Sequence, residues 1–138
     1  MIDPLRIALA DDQALVRTGL KALLGGIAGL QVTLEAGDGE DLLAKLPQTP
    51  VDVILSDIRM PLCDGFQLAK RLRGKGDATP VLLMTTFDEP DLVLRAVECG
   101  AQGFLLKDAS PEDLYEAITA LAQGKTLLAP VPTDPVRS

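Results

Sequence analysis

The order of hydrophobic and polar residues predicts five strands that alternate with five helices. Short apolar runs suited to strands occur at 5–10, 31–36, 51–56, 80–86 and 103–106. Apolar residues at helical spacing occupy 13–24, 41–46, 66–73, 91–98 and 111–123. Strict alternation of this kind is typical of an α/β protein with a doubly wound, five-stranded parallel sheet and helices on both faces.

Local signals mark the ends of several of these helices. Gly25-Gly26 is expected to end the first helix and Gly100 the fourth. Ser110 followed by Pro111 predicts the start of the fifth helix, because serine caps a helix and proline fits its first turn. On the first helix, one apolar face is predicted to contain Leu15, Val16, Leu20, Leu23 and Leu24.

Reactive side chains follow four of the five predicted strands. The first strand ends in Asp11-Asp12, the third in Asp57, the fourth in Thr85-Thr86 and the fifth in Lys107. Parallel strands end at one edge of the sheet, which is where α/β proteins bind ligands. Three carboxylates that meet there repel one another unless they are protonated or bound to a cation. The pattern therefore indicates a site for a hard divalent metal.

Composition excludes several classes of function. The 138 residues suit one domain, and a net charge of −7 argues against direct binding of nucleic acid. The absence of histidine excludes histidine-based acid–base catalysis and histidine metal ligands. The two cysteines lack metal-binding spacing, and no apolar run is long enough to span a bilayer. We therefore expect a soluble, cytoplasmic protein that does not associate with membranes.

Five motifs in a fixed order resemble those of a known family. They are Ala10-Asp11-Asp12, the run Ser56 to Pro61, Asp64-Gly65, Thr85-Thr86 and the run Phe104 to Asp108. Together they resemble the receiver domain of bacterial two-component response regulators. The segments around Val16–Leu20 and Gly100–Asp108 are similar to the NarL/FixJ (LuxR-type) subclass. The resemblance implies a flavodoxin-like sheet with strand order 2-1-3-4-5, which the residues alone do not determine.

The same resemblance implies a phosphoacceptor with a magnesium cofactor. Asp57 would accept a phosphoryl group from a phosphohistidine on a sensor histidine kinase. Mg²⁺ would be bound by Asp12, by Asp57 and by the backbone carbonyl of Arg59, with Asp11 acting through a coordinated water. Each of these acids also has an ordinary structural alternative, for example as a helix cap.

Three further residues would respond to the phosphoryl group. Lys107 would pair with its oxygens, and Thr85 would donate a hydrogen bond to one of them. Thr85 and Phe104 would act as switch residues that change the surface formed by the fourth helix, the fifth strand and the fifth helix. Homodimerisation on phosphorylation, or release of an output domain, would follow.

The resemblance also implies a division of the chain. Residues 1–125 would form the receiver domain, and the proline-rich residues 126–138 would begin an interdomain linker. In the NarL/FixJ subclass a helix-turn-helix domain usually follows, so DNA would be contacted only through an output domain absent from this chain.

Two other functions remain open at this point. Phosphatases and mutases with an aspartyl nucleophile typically carry a second aspartate two residues later, where this chain has Arg59. A receiver that works only as an interaction module, without phosphorylation, is the other. The favoured hypothesis is a regulatory switch with autocatalytic phosphoryl transfer, rather than an enzyme acting on metabolites.

Overall fold

A computed structural model describes residues 3–86 and 90–128. The strands are β1 (Leu5–Ala10), β2 (Leu30–Ala36), β3 (Val53–Asp57), β4 (Val81–Thr85) and β5 (Gly103–Leu106). The helices are α1 (Ala14–Gly25), α2 (Gly39–Lys45), α3 (Gly65–Gly74), α4 (Pro90–Cys99) and α5 (Pro111–Ala122), and a short 3₁₀ helix, Leu46–Gln48, follows α2. Most of the predicted linker, residues 129–138, lies outside the described residues.

The strands form one parallel sheet in the order β2-β1-β3-β4-β5. This confirms both the predicted fold class and the order that the family resemblance implied. All five residues of β3 and of β4 are buried, as expected for central strands covered on both faces. β2 lies at one edge of the sheet, beside β1, and none of the predicted reactive side chains follows it.

Alternating side chains divide the core into two layers, one on each face of the sheet. Ala8, Ala10 and Ile54 point to the face covered by α2, α3 and α4. Ile7 and Leu9 point to the opposite face, where residues of α1 and α5 cover them. The sheet is thereby held from both sides, which fixes the positions of the strand ends.

The predicted helix signals are largely confirmed, with one exception on α1. Ser110 caps α5 by accepting a hydrogen bond from the Asp113 N–H at 3.0 Å, and Gly100 after α4 has a φ of +86°. Leu15, by contrast, is 85% exposed, so its predicted place on the buried face of α1 is wrong. At about 100° per residue, Leu15 falls outside the arc shared by Val16, Leu20, Leu23 and Leu24.

After α5 the chain crosses the edge of the sheet. The Leu127 N–H donates to the Gln102 carbonyl at 2.7 Å, and Leu127 forms a parallel bridge with Gly103 at the start of β5. Leu128 is buried in the opposite core layer from α5, together with Phe104. Among the helices that the structure describes, none has the length and apolar character needed to cross a membrane.

Candidate functional site

Three carboxylates meet where β1 and β3 end. Ala10 of β1 pairs with Ser56 of β3, so the residues that follow them are neighbours. Asp11, Asp12 and Asp57 each offer a carboxylate oxygen, and these oxygens lie within 4.8 Å of one another. Asp11 is fully buried and Asp57 is 8% exposed, whereas Asp12 lies at the surface. The predicted convergence of these acids is present in the structure.

Lys107 contacts two of these acids from the end of β5. Its Nζ lies 3.1 Å from Oδ2 of Asp11 and 3.2 Å from Oδ2 of Asp57. Only 16% of the Lys107 side chain is exposed. One ammonium group against three carboxylates leaves the cluster short of positive charge.

Burial and charge shift the pKa values of these groups. Burial raises the pKa of Asp57; nearby Lys107 opposes the shift, while Asp11 adds to it. Burial works against the charged form of Lys107, but Asp57 and Asp11 outweigh it and raise the pKa of the ammonium. Lys107 therefore stays positively charged. The ionised form of Asp57 lowers the stability of the folded state, and a further cation nearby would favour that ionised form.

Backbone hydrogen bonds hold these strand ends together. The N–H of Ile58, next to Asp57, donates to the Met84 carbonyl at 3.1 Å. The N–H of Lys107 donates to the Thr85 carbonyl at 2.7 Å. Thr85 is 2% exposed and ends β4, which lies between β3, with Asp57, and β5, which leads into Lys107.

Gly65 allows the loop after β3 to return closely to Asp57. A Cβ added at Gly65 would lie 2.6 Å from the Asp57 carbonyl oxygen and 2.9 Å from Cδ2 of Leu83. The Gly65 N–H donates to the Ile58 carbonyl at 2.8 Å. Any larger residue would therefore displace the end of β3.

Thr85 and Phe104 lie on the same face of the sheet. Leu83 pairs with Phe104, and Thr85 pairs with Leu106. Since alternate residues of a strand share a face, Thr85 and Phe104 both face the layer of α3 and α4. Phe104 is partly buried and packs against that core layer.

The donor set fits Mg²⁺. This small ion binds oxygen ligands at about 2.1 Å, so oxygens around it lie within about 4.2 Å of one another. The three carboxylate oxygens are within 4.8 Å, so only small side-chain movements would be needed. The negative charge that Lys107 leaves uncompensated also favours a divalent cation.

A pocket of about 590 Å³ opens beside the acidic cluster. It is lined by Asp12, Ile58, Arg59, Met60, Pro61, Asp64, Phe66, Leu92 and Arg95. Arg59, predicted to supply a backbone ligand, lies at this rim with its side chain exposed. The guanidinium of Arg95 lies 4.2 Å from the centre of the Phe66 ring.

Two arginine contacts near the site were missed by sequence reasoning. The stacking of Arg95 on Phe66 joins α4 to α3, and no local pattern links residues so far apart. Arg17 donates from Nη1 to the Asp11 carbonyl at 2.5 Å. The only signal for the second contact is a cation on the helix that directly follows the acidic pair.

Comparisons with known proteins agree with this geometry. A family model for the response regulator receiver domain matches residues 7–119. The chain is 43% identical to the uncharacterized transcriptional regulatory protein YxjL of Bacillus subtilis, over 94% of this chain and 59% of YxjL. It is 42% identical to the transcriptional regulatory protein UhpA of Escherichia coli, over 90% of this chain and 62% of UhpA. The chain thus spans less than two thirds of either relative.

Solved structures show the same fold. The signal receiver domain of the putative response regulator NarL from Mycobacterium tuberculosis superposes with a TM-score of 0.85 at 36% identity, covering 90% of this chain and 100% of that one. The response regulator ChrA of a heme-sensing two-component system gives a TM-score of 0.80 at 36% identity, covering 99% of this chain and 70% of ChrA.

Proposed function

Because this chain belongs to the family of response regulator receiver domains, we propose that it is the phosphoacceptor switch of a two-component system. The observation that carries the proposal is the position of Asp57. This buried carboxylate ends a central strand, contacts Lys107 at 3.2 Å, and lies within reach of the carboxylates of Asp11 and Asp12.

The proposed reaction moves a phosphoryl group from a kinase histidine to Asp57. A carboxylate oxygen of Asp57 attacks phosphorus, an O–P bond forms, and the N–P bond breaks with its electron pair returning to the imidazole. Lys107 pairs with the transferred oxygens, and the Thr85 hydroxyl donates to one of them. The chain's part is positioning and charge neutralisation, which is most of what phosphoryl transfer requires.

Mg²⁺ would be held by Asp12, by Asp57 and by the backbone carbonyl of Arg59, with Asp11 acting through water. When bound, the ion would offset the negative charge of the three acids and of the incoming phosphoryl group. The short distances between the carboxylate oxygens support this assignment.

Thr85 and Phe104 would pass the change to the surface of α4, β5 and α5. Once phosphorylated, Asp57 would draw the Thr85 hydroxyl towards it, and Phe104 on the same face would move with it. The expected result is homodimerisation or a change in contact with an output domain. DNA would be reached through that output domain, since the similar proteins YxjL and UhpA are transcriptional regulators. Residues 1–125 would be the receiver and 126–138 the start of the linker.

Mass spectrometry tests the acceptor assignment. Wild-type protein incubated with acetyl phosphate and Mg²⁺ should gain the mass of one phosphoryl group, and Asp57→Asn should not. Asp64→Asn is the matched control: it changes an acid of the same loop that caps α3, and asparagine also caps helices. An unchanged mass gain in Asp57→Asn would refute the proposal.

A second experiment separates transfer from switching. Thr85→Ala should still gain the phosphoryl group but should lose the phosphorylation-dependent change in oligomeric state, measured by size-exclusion chromatography with light scattering. Steady hydrolysis of a simple phosphate ester that depends on Asp57 would instead favour the aspartyl phosphatase. Failure of the wild type to bind Mg²⁺ would favour the interaction module.

A further inference from the structure

Arg17 of α1 contacts the backbone of the acidic pair. Its Nη1 donates to the carbonyl oxygen of Asp11 at 2.5 Å, and 24% of its side chain is exposed. On its other side, Nε of Arg17 lies 3.7 Å from Oε1 of Glu35. Glu35 also pairs with Nζ of Lys21 at 2.7 Å. The guanidinium is therefore held between β2 and the end of β1.

This contact completes the fixation of Asp11. The Asp11 N–H donates to the Ala36 carbonyl at 3.1 Å. Oδ1 of Asp11 accepts from the Gln13 N–H at 2.9 Å, and Oδ2 accepts from Lys107. The remaining polar group of Asp11, its carbonyl oxygen, accepts the hydrogen bond from Arg17. The backbone and the carboxylate of Asp11 are thus both held.

The carbonyl of Asp11 belongs to the peptide bond that joins Asp11 to Asp12. Because a peptide unit is planar, a hydrogen bond to its oxygen restrains two torsion angles, ψ of Asp11 and φ of Asp12. These two angles set the directions in which the two carboxylates leave the backbone. Asp12 is exposed, so its direction depends on this plane more than on packing of its side chain.

We propose that Arg17 is a positioning residue for the divalent-cation site, holding the Asp11–Asp12 peptide so that both carboxylates face the same ion. The inference rests on the proposed function, because it assumes that these acids bind Mg²⁺. Groups that orient metal ligands without touching the metal typically contribute a factor of about 10 to 100 in affinity.

The sign of the effect separates this role from simple charge. Arg17 is a cation near an acidic cluster, so by electrostatics alone its removal would strengthen the binding of Mg²⁺. If Arg17 instead orients the acidic pair, its removal weakens binding. The two explanations predict opposite changes in the dissociation constant.

The test is a titration of MgCl₂ at constant ionic strength, followed by the amide NMR shifts of Asp12 and Asp57. Arg17→Met should raise the Mg²⁺ dissociation constant about tenfold. Arg17→Lys keeps the charge but has a single nitrogen, whereas Arg17 reaches the Asp11 carbonyl with Nη1 and Glu35 with Nε, so it should raise the constant about threefold or more. Lys21→Gln removes one positive charge from the same helix without touching Asp11, and should stay within about twofold of wild type.

Phosphorylation by acetyl phosphate at saturating Mg²⁺ should remain close to wild type in Arg17→Met. A general loss of folded protein would lower the rate of phosphorylation even at saturating Mg²⁺, whereas a positioning role changes only the affinity for Mg²⁺. Urea unfolding would measure the stability of the variant directly. If Arg17→Met does not fold, Arg17→Lys decides the matter.

Each outcome has one meaning. Wild-type binding with unchanged or tighter binding in the Arg17 variants overturns only the positioning role. A wild type that does not respond to Mg²⁺ overturns the metal step of the proposed function, and the positioning role with it.

Discussion

Two partly buried cations lie at opposite ends of the same sheet, and their partners differ in kind. Lys107, where β5 ends, faces the carboxylates of Asp11 and Asp57. Arg73, at the end of α3, lies where β4 and β5 begin. It donates to the carbonyls of Gly100, Asp77 and Thr79 at 2.9, 2.7 and 2.9 Å, and to Oε1 of Gln102 at 2.6 Å.

The difference separates a cation whose partners are neutral oxygens from one whose partners are carboxylates. Neutral oxygens accept the hydrogen bonds that Arg73 donates, and burial lowers its pKa. The Lys107 cluster, in contrast, contains three acids for one ammonium, and this excess of negative charge would favour a further cation. We therefore expect the loss of Arg73 to lower the stability of the protein, and the Lys107 cluster to respond to divalent cations.

The largest expected effect is at the Arg73 end. Arg73→Met should lower the free energy of unfolding by about 2 kcal/mol, because four oxygens lose a charged donor in a partly buried place. Urea unfolding followed by circular dichroism measures this loss. Arg71→Met on the same helix is the control and should have little effect, because its ion pair with Glu40 is at the surface. Equal losses of unfolding free energy in the two variants would contradict a stabilising role specific to Arg73.

The second effect is stabilisation by Mg²⁺ at the Lys107 end. At ten times the dissociation constant, Mg²⁺ should add about 1.4 kcal/mol to the free energy of unfolding of the wild type. Arg73→Met should gain the same increment from its lower starting point, since its site is at the other end of the sheet. Thermal unfolding with and without EDTA reports both values. A smaller increment in Arg73→Met would show that the two ends are coupled.

Removal of one acid should stabilise the metal-free protein. Asp57→Asn without divalent cations should raise the free energy of unfolding by about 1 kcal/mol, because functional groups are often kept at the expense of stability. The physical reason is that burial and Asp11 disfavour the charged Asp57. Unfolding in urea with EDTA provides the measurement, and a loss of stability would contradict this account.

The advantage of Asp57→Asn should depend on pH. Folding raises the pKa of Asp57 above its ordinary 3.8, so the folded state binds this proton more tightly than the unfolded state. The cost to the wild type is full above the raised pKa and fades as the pH falls through it towards 3.8. The stability difference between the two proteins should therefore shrink from about pH 7.5 to about pH 4.5. A difference that grows on acidification would reverse the assigned sign.

Most of the fold could be predicted because its signals are local. Alternating strand and helix patterns, the Ser110 cap and the glycine after α4 each act within a few residues. Leu15 shows the limit, because hydrophobicity without its exact angle on the helix does not define a buried face. The left-handed backbone of Leu62, with a φ of 67°, could not be predicted either, because residues other than glycine rarely adopt that conformation.

The acids and Lys107 could be placed from the sequence because they follow strands, and parallel strands end together. Contacts across elements could not. Arg73 meets Gly100 and Gln102 only after α3, α4 and β5 have packed, and Arg17 reaches Asp11 only through the angle at which α1 leaves β1. Such contacts depend on tertiary geometry, for which sequence spacing gives no measure.

After α5, Leu127 and Leu128 pack against β5, the strand that leads into Lys107. The Leu127 N–H donates a hydrogen bond to the Gln102 carbonyl, and Leu128 is buried with Phe104 on the face of the sheet opposite α5. A displacement of Leu128 would therefore act directly on β5 and its core layer, as well as on α5 through the intervening chain. β5 also leads directly into Lys107, so the contacts of Leu127 and Leu128 and the position of the Lys107 ammonium depend on the same strand.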